Sequence, residues 1–357
     1  MLNIRKIAVI STGNGGQSMA AYLAHKGYSV SLYAREEERV KMFRDNRFVL
    51  HGEVEAEAAV ELISCNMAEV IQDASVILVT TPAQYHSVVA SHMAGCLQDG
   101  QMVVLNPGRT FGTYEFDRTL RRMGCRARVL LGETDTFVFT CRCREPGHPH
   151  IYGIKHNLLV AGHLPDDTEH IRTRMAELFG EAVAAESVLH TGLSNIGMLF
   201  HPLPILMNIT RVEAKEEFLY YKEGISPMTA DILTRMDTER MAVANALGIR
   251  VPTVMEWLAD HYGSAGDTLY ARIQNTKAYQ NVLAPTDVDT RYIFEDIQTG
   301  CVPVSCLGKH LGVPTPIIDS VISWASSVYG RDFMVTGRNG ERIDLDAVCG
   351  KAEILPA

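Results

Sequence analysis

The sequence predicts an α/β N-terminal domain built on a parallel sheet, followed by an all-α C-terminal domain. Three observations predict it. Short apolar runs rich in β-branched residues recur through the first half. A glycine-rich turn joins the first of these runs to a helix-forming stretch. From about Asp166 onward, apolar residues recur with a helical period. A chain of 357 residues suits two domains, and the expected division is 1–185 and 186–357.

Composition narrows the classes. Hydrophobic residues are 46% and charged residues 21%, ordinary for a soluble globular protein. A net charge of −9 gives no basic footprint for nucleic acid. No apolar run reaches the roughly 18 residues that span a bilayer. MLNIRKIAVISTGNGG enters a strand-like run without a signal-peptide pattern. Eight scattered cysteines read as reduced thiols, so the expected compartment is the cytoplasm.

The elements follow in order. IAVIS, from Ile7 to Ser11, reads as a buried parallel strand. In the following TGNGGQSMAAYLAHKG, Gly13 and Gly15 hold the first two positions of G-x-G-x-x-G, and Ser18 replaces the third. Ala20, Ala21, Leu23 and Ala24 suit a helix that Gly27 can cap. YSVSLYAR gives the second strand. This strand, glycine turn, helix and strand form a dinucleotide clamp, in which the GNGG turn (Gly13, Asn14, Gly15, Gly16) brings backbone N–H groups to a pyrophosphate. At the end of the second strand, an NAD site usually carries an acid. Here Ala34 and Arg35 stand instead, which points to NADP, with NAD as the alternative; Arg35 could equally stack on the adenine or be solvated. Glu36–Glu38 reads as the first turn of the next helix.

ASVILVTTPAQYHSV gives a strand ending at Thr80-Thr81 before Pro82. QMVVLNPG gives one ending in Asn106-Pro107-Gly108, and RARVLLGET one ending in Gly132-Glu133-Thr134. Residues past the C-terminal ends of parallel strands line the ligand crevice. Thr81, Pro82 and Asn106 are therefore expected at the cofactor, and Arg109, Glu133 and Thr134 at the nicotinamide end or the substrate. CRCREPGHPH places Cys141, Cys143, His148 and His150 around a turn; C-x-C spacing is poor for zinc, so a β-hairpin without metal is expected.

In the second half, TEHIRTRMAELFG, SPMTADILTRMDTERMAVANALG and PTPIIDSVISWASSVYG read as helices. The second starts with Ser226 as N-cap and Pro227 at the first position, and ends at Gly248. Between them, LSNIGMLFHPLPILMN sets His201 in an apolar run, with Pro202 and Pro204 leaving backbone carbonyls free. Asn208, at its end, is an expected substrate contact. RYIFEDIQTGCVPVS carries Arg291, Glu295 and Asp296 among apolar residues, where charge needs partners. A nicotinamide reaction at a carbonyl or imine needs a proton donor, and a carboxylate-held His supplies one. The expected arrangement pairs Asp296 with His201 and leaves Arg291 to grip a substrate carboxylate. An internal Arg291–Asp296 ion pair with Glu295 solvated is the alternative.

These residues resemble the opine dehydrogenases of the octopine and nopaline type. The resemblance runs through nearly the whole chain: the GNGG turn with MAAYLAHKG, GETDTFVFTCR, LFHPLPILMN, FLYYKEGISP, MDTERMAVANALG and RYIFEDIQTGCVPVSCLGKHLGVPTPIIDS. The family's R-Y-x-x-E-D-x-x-x-G-x-V-P pattern is matched by Arg291, Tyr292, Glu295, Asp296, Gly300, Val302 and Pro303. The resemblance implies a Rossmann-type N-terminal domain and an all-α C-terminal domain like that of 6-phosphogluconate dehydrogenase. It implies NAD(P)H-dependent reductive condensation of a 2-oxo acid, commonly pyruvate, with the amino group of an amino acid through an imine. His201 and Asp296 match the family's acid/base pair, Arg291 the oxo-acid carboxylate holder, and Glu133 an acid that meets the amino-acid substrate. Arg109 departs from relatives with an uncharged side chain there, and a cation would favour an acidic donor. A homodimer is implied from likeness alone, and closure of the domains is expected to hinge near residue 185. Two alternatives remain: a glycerol-3-phosphate or ketopantoate reductase type using Lys155, in a run that also reads as the hairpin's return strand, and an NADP-binding redox sensor without turnover.

Overall fold

The computed structural model describes residues 6–352; the first five, read as leading into the first strand, lie outside them. The chain divides into two compact units, Met1–Gly192 and Leu193–Ala357.

The first unit holds an eight-stranded sheet in the order β12-β11-β8-β7-β6-β1-β2-β5. In it β1 is Lys6–Ile10, β2 Ser29–Tyr33, β5 Leu62–Ser64, β6 Val76–Val79, β7 Met102–Leu105, β8 Leu130–Thr134, β11 Leu158–Gly162 and β12 Ala182–Ala184. Neighbours run parallel except β8 and β11, which are antiparallel. Period-two side-chain alternation splits the core between the two faces. Ile7, Val9, Leu78 and Val104 join one buried cluster; Ala8, Ile10, Ile77, Val79, Val103 and Leu105 join the other. Both faces are covered, which is why these strands read as continuous apolar runs.

A second sheet of four strands runs β4-β3-β10-β9. Here β3 is Arg47–Gly52, β4 Ala56–Ala59, β9 Phe139–Cys143 and β10 Pro149–Ile154. The expected hairpin is present, with β9 and β10 antiparallel. The Asn14–His25 helix packs against both sheets. Gly16 through Leu23 are therefore all buried, and the small side chains of Ser18, Ala20 and Ala21 are what such a sandwiched helix needs. The hairpin's return strand ends at Ile154, so Lys155 lies just past it, and LLVAG is the separate strand β11 of the large sheet. Lys155 donates to Thr136 Oγ1 at 2.6 Å.

The second unit is helical. At its centre is Pro227–Ala246, with the Ser226 side chain accepting from Thr229 N and Pro227 in the first turn. Around it pack Pro202–Met207, Leu269–Asn275, Val302–Leu311 and Pro316–Tyr329. MDTERM is a structural knot. Asp237 and the fully buried Arg240 form an ion pair at 2.6 Å. Arg240 also donates to the carbonyls of Leu193 and Pro252, and Asp237 Oδ2 accepts from Val254 N. Glu239 accepts from Ile317 N and Ile318 N, capping the Pro316–Tyr329 helix from outside. No helix among the described residues is long and apolar enough to cross a membrane.

Candidate active site

The glycine turn sits at the C-terminal end of β1. Gly13 is the N-cap of the Asn14–His25 helix, with no side chain capping its first turn, so the first N–H groups are left to an anion. Close packing fixes the glycines. A Cβ on Gly16 would lie 1.8 Å from Ser11 O, and one on Gly15 would lie 2.7 Å from the Phe137 ring. Gly13 and Asn14 are exposed, and Asn14 Oδ1 accepts from Cys143 N at 3.2 Å, tying the hairpin to the turn. Arg35 follows β2, largely exposed, with its guanidinium on Glu36 at 2.6 Å.

Thr81 and Pro82 follow β6, and Asn106 follows β7, on the same end of the sheet. Thr81 Oγ1 is buried and makes no hydrogen bond among the described residues. Asn106 is buried and its Oδ1 accepts from Val138 N. Arg109 is a non-glycine residue in the left-handed region, at φ 60°. Glu133 is fully buried under this loop. Its carboxylate accepts from Thr113 N at 3.1 Å and from the Thr191 hydroxyl at 2.7 Å. Gly108 must lack a side chain, since a Cβ there would lie 2.3 Å from Glu133 Oε2. The Thr134 hydroxyl donates to Thr136 O. Glu133 and Thr134, expected at the substrate, thus both hold protein groups at the end of β8 as well. The neighbouring Asp135 is set apart electrostatically: burial pushes its carboxyl up to about 6, opposed by Lys155 and by backbone N–H groups.

In the second unit, His201 stands at a break between the Gly197–Phe200 and Pro202–Met207 helices. Proline supplies no N–H, so Pro202 and Pro204 cannot bond the carbonyls four residues back. Those carbonyls, on Met198 and Phe200, are taken by the Cys301 thiol at 3.7 Å and the Tyr220 hydroxyl at 2.9 Å. Burial pushes both groups well up, Tyr220 further raised by its tyrosine neighbours and Asp296, and Cys301 by Asp296, so both remain donors.

His201 Nδ1 lies 2.7 Å from Asp296 Oδ2. Asp296 is fully buried and the His201 side chain is 12% exposed. Arg291 binds Glu295 at 3.1 Å, with a half-exposed side chain. An internal Arg291–Asp296 pair and a solvated Glu295 are both overturned: Glu295 is 3% exposed and serves as the partner of Arg291. The i,i+4 spacing of Arg291 and Glu295 carries that pair, a signal present in the sequence. Asn208 donates its amide to the carbonyls of Pro204 and Gly224, holding the loop ends together.

Three features were not legible in the sequence. The Arg291–Asp296 helix runs into a π-helical segment, Ile297–Cys301, before the Val302–Leu311 helix. Such insertions shift register and concentrate at functional sites. Gly300 permits it, since a Cβ there would lie 2.6 Å from Met198 Cβ. Tyr292 stacks on His201, with centroids 3.9 Å apart and planes 3° off parallel. Tyr220 anchors the break itself. Only the YY of FLYYKEGISP and the Y of RYIFED could have pointed to the tyrosines.

Comparison with known proteins bears on the family and the fold. The family model for the NAD/NADP octopine/nopaline dehydrogenase alpha-helical domain matches residues 184–329, and that for the NAD-dependent glycerol-3-phosphate dehydrogenase N-terminus matches residues 6–108. An opine dehydrogenase of Arthrobacter sp. (strain 1C) is 37% identical over 98% of this chain and 97% of its own length. The octopine dehydrogenase of Mizuhopecten yessoensis is 26% identical over 93% of this chain and 92% of its own. Among solved structures, octopine dehydrogenase with NADH and L-arginine superposes with a TM-score of 0.80 at 23% identity, covering 97% of this chain and 98% of that one. Its fold, an NAD-binding domain followed by a helical domain, is the fold described above. The identity to the Arthrobacter protein extends along both units and both sequence halves, and on that ground the chain belongs to the opine dehydrogenase family.

Proposed function

We propose that the protein performs NAD(P)H-dependent reductive condensation of a 2-oxo acid, pyruvate by preference, with the amino group of an amino acid through an imine. It is an oxidoreductase acting on CH–NH donors. The observation that carries the reading is the His201–Asp296 pair at 2.7 Å, with Arg291 one turn away on the same helix.

The nicotinamide, when bound, supplies the hydride. Its holders are the GNGG turn, whose uncapped N–H groups and side-chain-free Gly16 fit a pyrophosphate, with Thr81, Pro82 and Asn106 at the strand ends. Arg35 supports NADP, while its pairing with Glu36 keeps NAD open. Asp296 accepts from His201 Nδ1–H, which fixes the tautomer and directs exchange through Nε2. His201 takes a proton from the ammonium group so that the amine can attack the oxo carbon. The oxyanion formed by addition takes a second proton from the attacking nitrogen, and His201 returns the first to the resulting hydroxyl, which leaves as water. Arg291 grips the oxo-acid carboxylate, and Glu295 orients its guanidinium. Arg109 favours a donor with an acidic side chain. Glu133 serves the amine site as the acid that meets the amino-acid substrate, its carboxylate oriented by Thr113 N and the Thr191 hydroxyl. The reading also includes a cytoplasmic homodimer, on family likeness.

The test is oxidation of NADPH and NADH with pyruvate or 2-oxoglutarate, alone and with a panel of amino acids. Oxidation that needs both an oxo acid and an amine supports the reading. Oxidation with an oxo acid alone moves the protein to the simple reductases.

A further inference from the structure

We propose that Tyr292 is a positioning residue that sets the plane of the His201 imidazole and stabilises its protonated form. The inference rests on the acid–base role of His201 proposed above.

An edge contact alone does not set the tilt of a ring. The Asp296 contact at Nδ1 sets where the imidazole edge lies, and contacts on the ring's face set the tilt of its plane. The parallel stack on Tyr292 holds that tilt, because rotation would separate faces held at 3.9 Å and 3°. Tyr292 and Asp296 are four residues apart on one helical turn, so they project on the same side. A single turn therefore grips the imidazole at its edge and on its face.

Tyr292 is braced in turn. Tyr220 packs on it at 5.3 Å, and the Tyr220 hydroxyl bonds the carbonyls of Phe200 and His201. The face of an aromatic ring attracts a cation. Tyr292 thus favours the imidazolium over the neutral ring. Arg291 lies 5.4 Å from the same Tyr292 ring and opposes that preference electrostatically, while Asp296 and Glu295 support it. The neighbouring tyrosines Tyr220, Tyr221 and Tyr279 and the Cys301 thiol are all pushed up by burial and stay neutral. The Tyr292 hydroxyl plays no part in either effect, so phenylalanine can replace tyrosine and leucine cannot.

The experiment compares Tyr292→Phe and Tyr292→Leu with the parent in two ways. Histidine NMR titration follows His201 without any substrate, assigned by its loss in His201→Asn. The expected result is a His201 pKa lower by about half to one unit in Tyr292→Leu, and close to the parent in Tyr292→Phe. Steady-state kinetics then read kcat against KM. Tyr292→Leu loses about tenfold or more in kcat with KM for both substrates within about threefold, and Tyr292→Phe recovers most of the loss. An unmoved His201 titration in a folded Tyr292→Leu overturns the proposal, as does a Phe variant impaired like Leu. A shifted titration in a protein that oxidises no cofactor with any substrate pair sinks the proposed reaction and leaves the positioning role standing.

Discussion

Gly300→Ala is the sharpest test of how the pair at the site is assembled. An added Cβ would lie 2.6 Å from Met198 Cβ and 3.1 Å from Asn195 Nδ2. Carbon atoms pack at about 3.5–4.0 Å, so the π-helical segment and the Gly197–Phe200 helix must separate by about 1 Å. Met198 is three residues before His201, and Gly300 four after Asp296, so the displacement falls on the pair itself. A hydrogen bond of 2.7 Å opened by that amount is no longer one. Overpacking of this kind costs about 1–3 kcal/mol of stability. Loss of the oriented imidazole costs about 100-fold in kcat. The assay measures thermal unfolding and kcat together, beside a control. Gly308→Ala is the control, since its Cβ would lie 2.8 Å from Val313 O in another part of the same unit. The expected outcome is a similar stability loss in both variants and a kcat loss in Gly300→Ala alone. A Gly300→Ala protein that loses stability but keeps full kcat refutes the reasoning.

Three further outcomes follow from the same structure. Asp296→Asn keeps the shape but removes the carboxylate from His201, and kcat should fall about 100-fold or more with cofactor affinity, measured by fluorescence titration, unchanged. Asp237→Ala leaves Arg240 buried without its partner carboxylate, and urea unfolding should show a loss of about 3–5 kcal/mol. Asp135 is raised in the folded state to about 6, so the stability from its protonated form is complete below pH 3.8 and lost as pH rises through about 6. Asp135→Asn should therefore gain on the parent by up to about 3 kcal/mol between pH 4 and pH 7, read by urea unfolding at both. Parallel pH profiles would count against the buried carboxyl.

The large sheet and the helical unit were legible because their periodicities are strong. IAVIS and QMVVL are buried on both faces and read as such, and Ser226-Pro227 announces a helix start by its chemistry. The second sheet was harder. AEAA in β4 is made of good helix formers and becomes strand only by pairing with β3, which local propensity cannot show. The His201–Asp296 pair was anticipated from the chemistry a nicotinamide reaction needs, across 95 residues of sequence. What the residues could not show is the register that makes it: the π-helical segment, the Gly300 contact and the tyrosine stack are tertiary facts. A solvated Glu295 stayed open as an alternative because an i,i+4 pair reads the same whether the helix face is wet or buried. Glu133 was expected at the ligand because it ends a strand; that its oxygens also accept from Thr113 and Thr191 is a tertiary contact no local pattern shows.

The central claim is that reduction happens at a carbon newly bonded to nitrogen. The most direct measurement uses cofactor deuterated at the transferable position of the nicotinamide, with pyruvate and the best amino acid from the panel, and reads the product by mass spectrometry and NMR. The expected product is one secondary amine, with deuterium on the carbon that came from the pyruvate carbonyl and now carries the amino nitrogen. Deuterated lactate with the amino acid unchanged would contradict it.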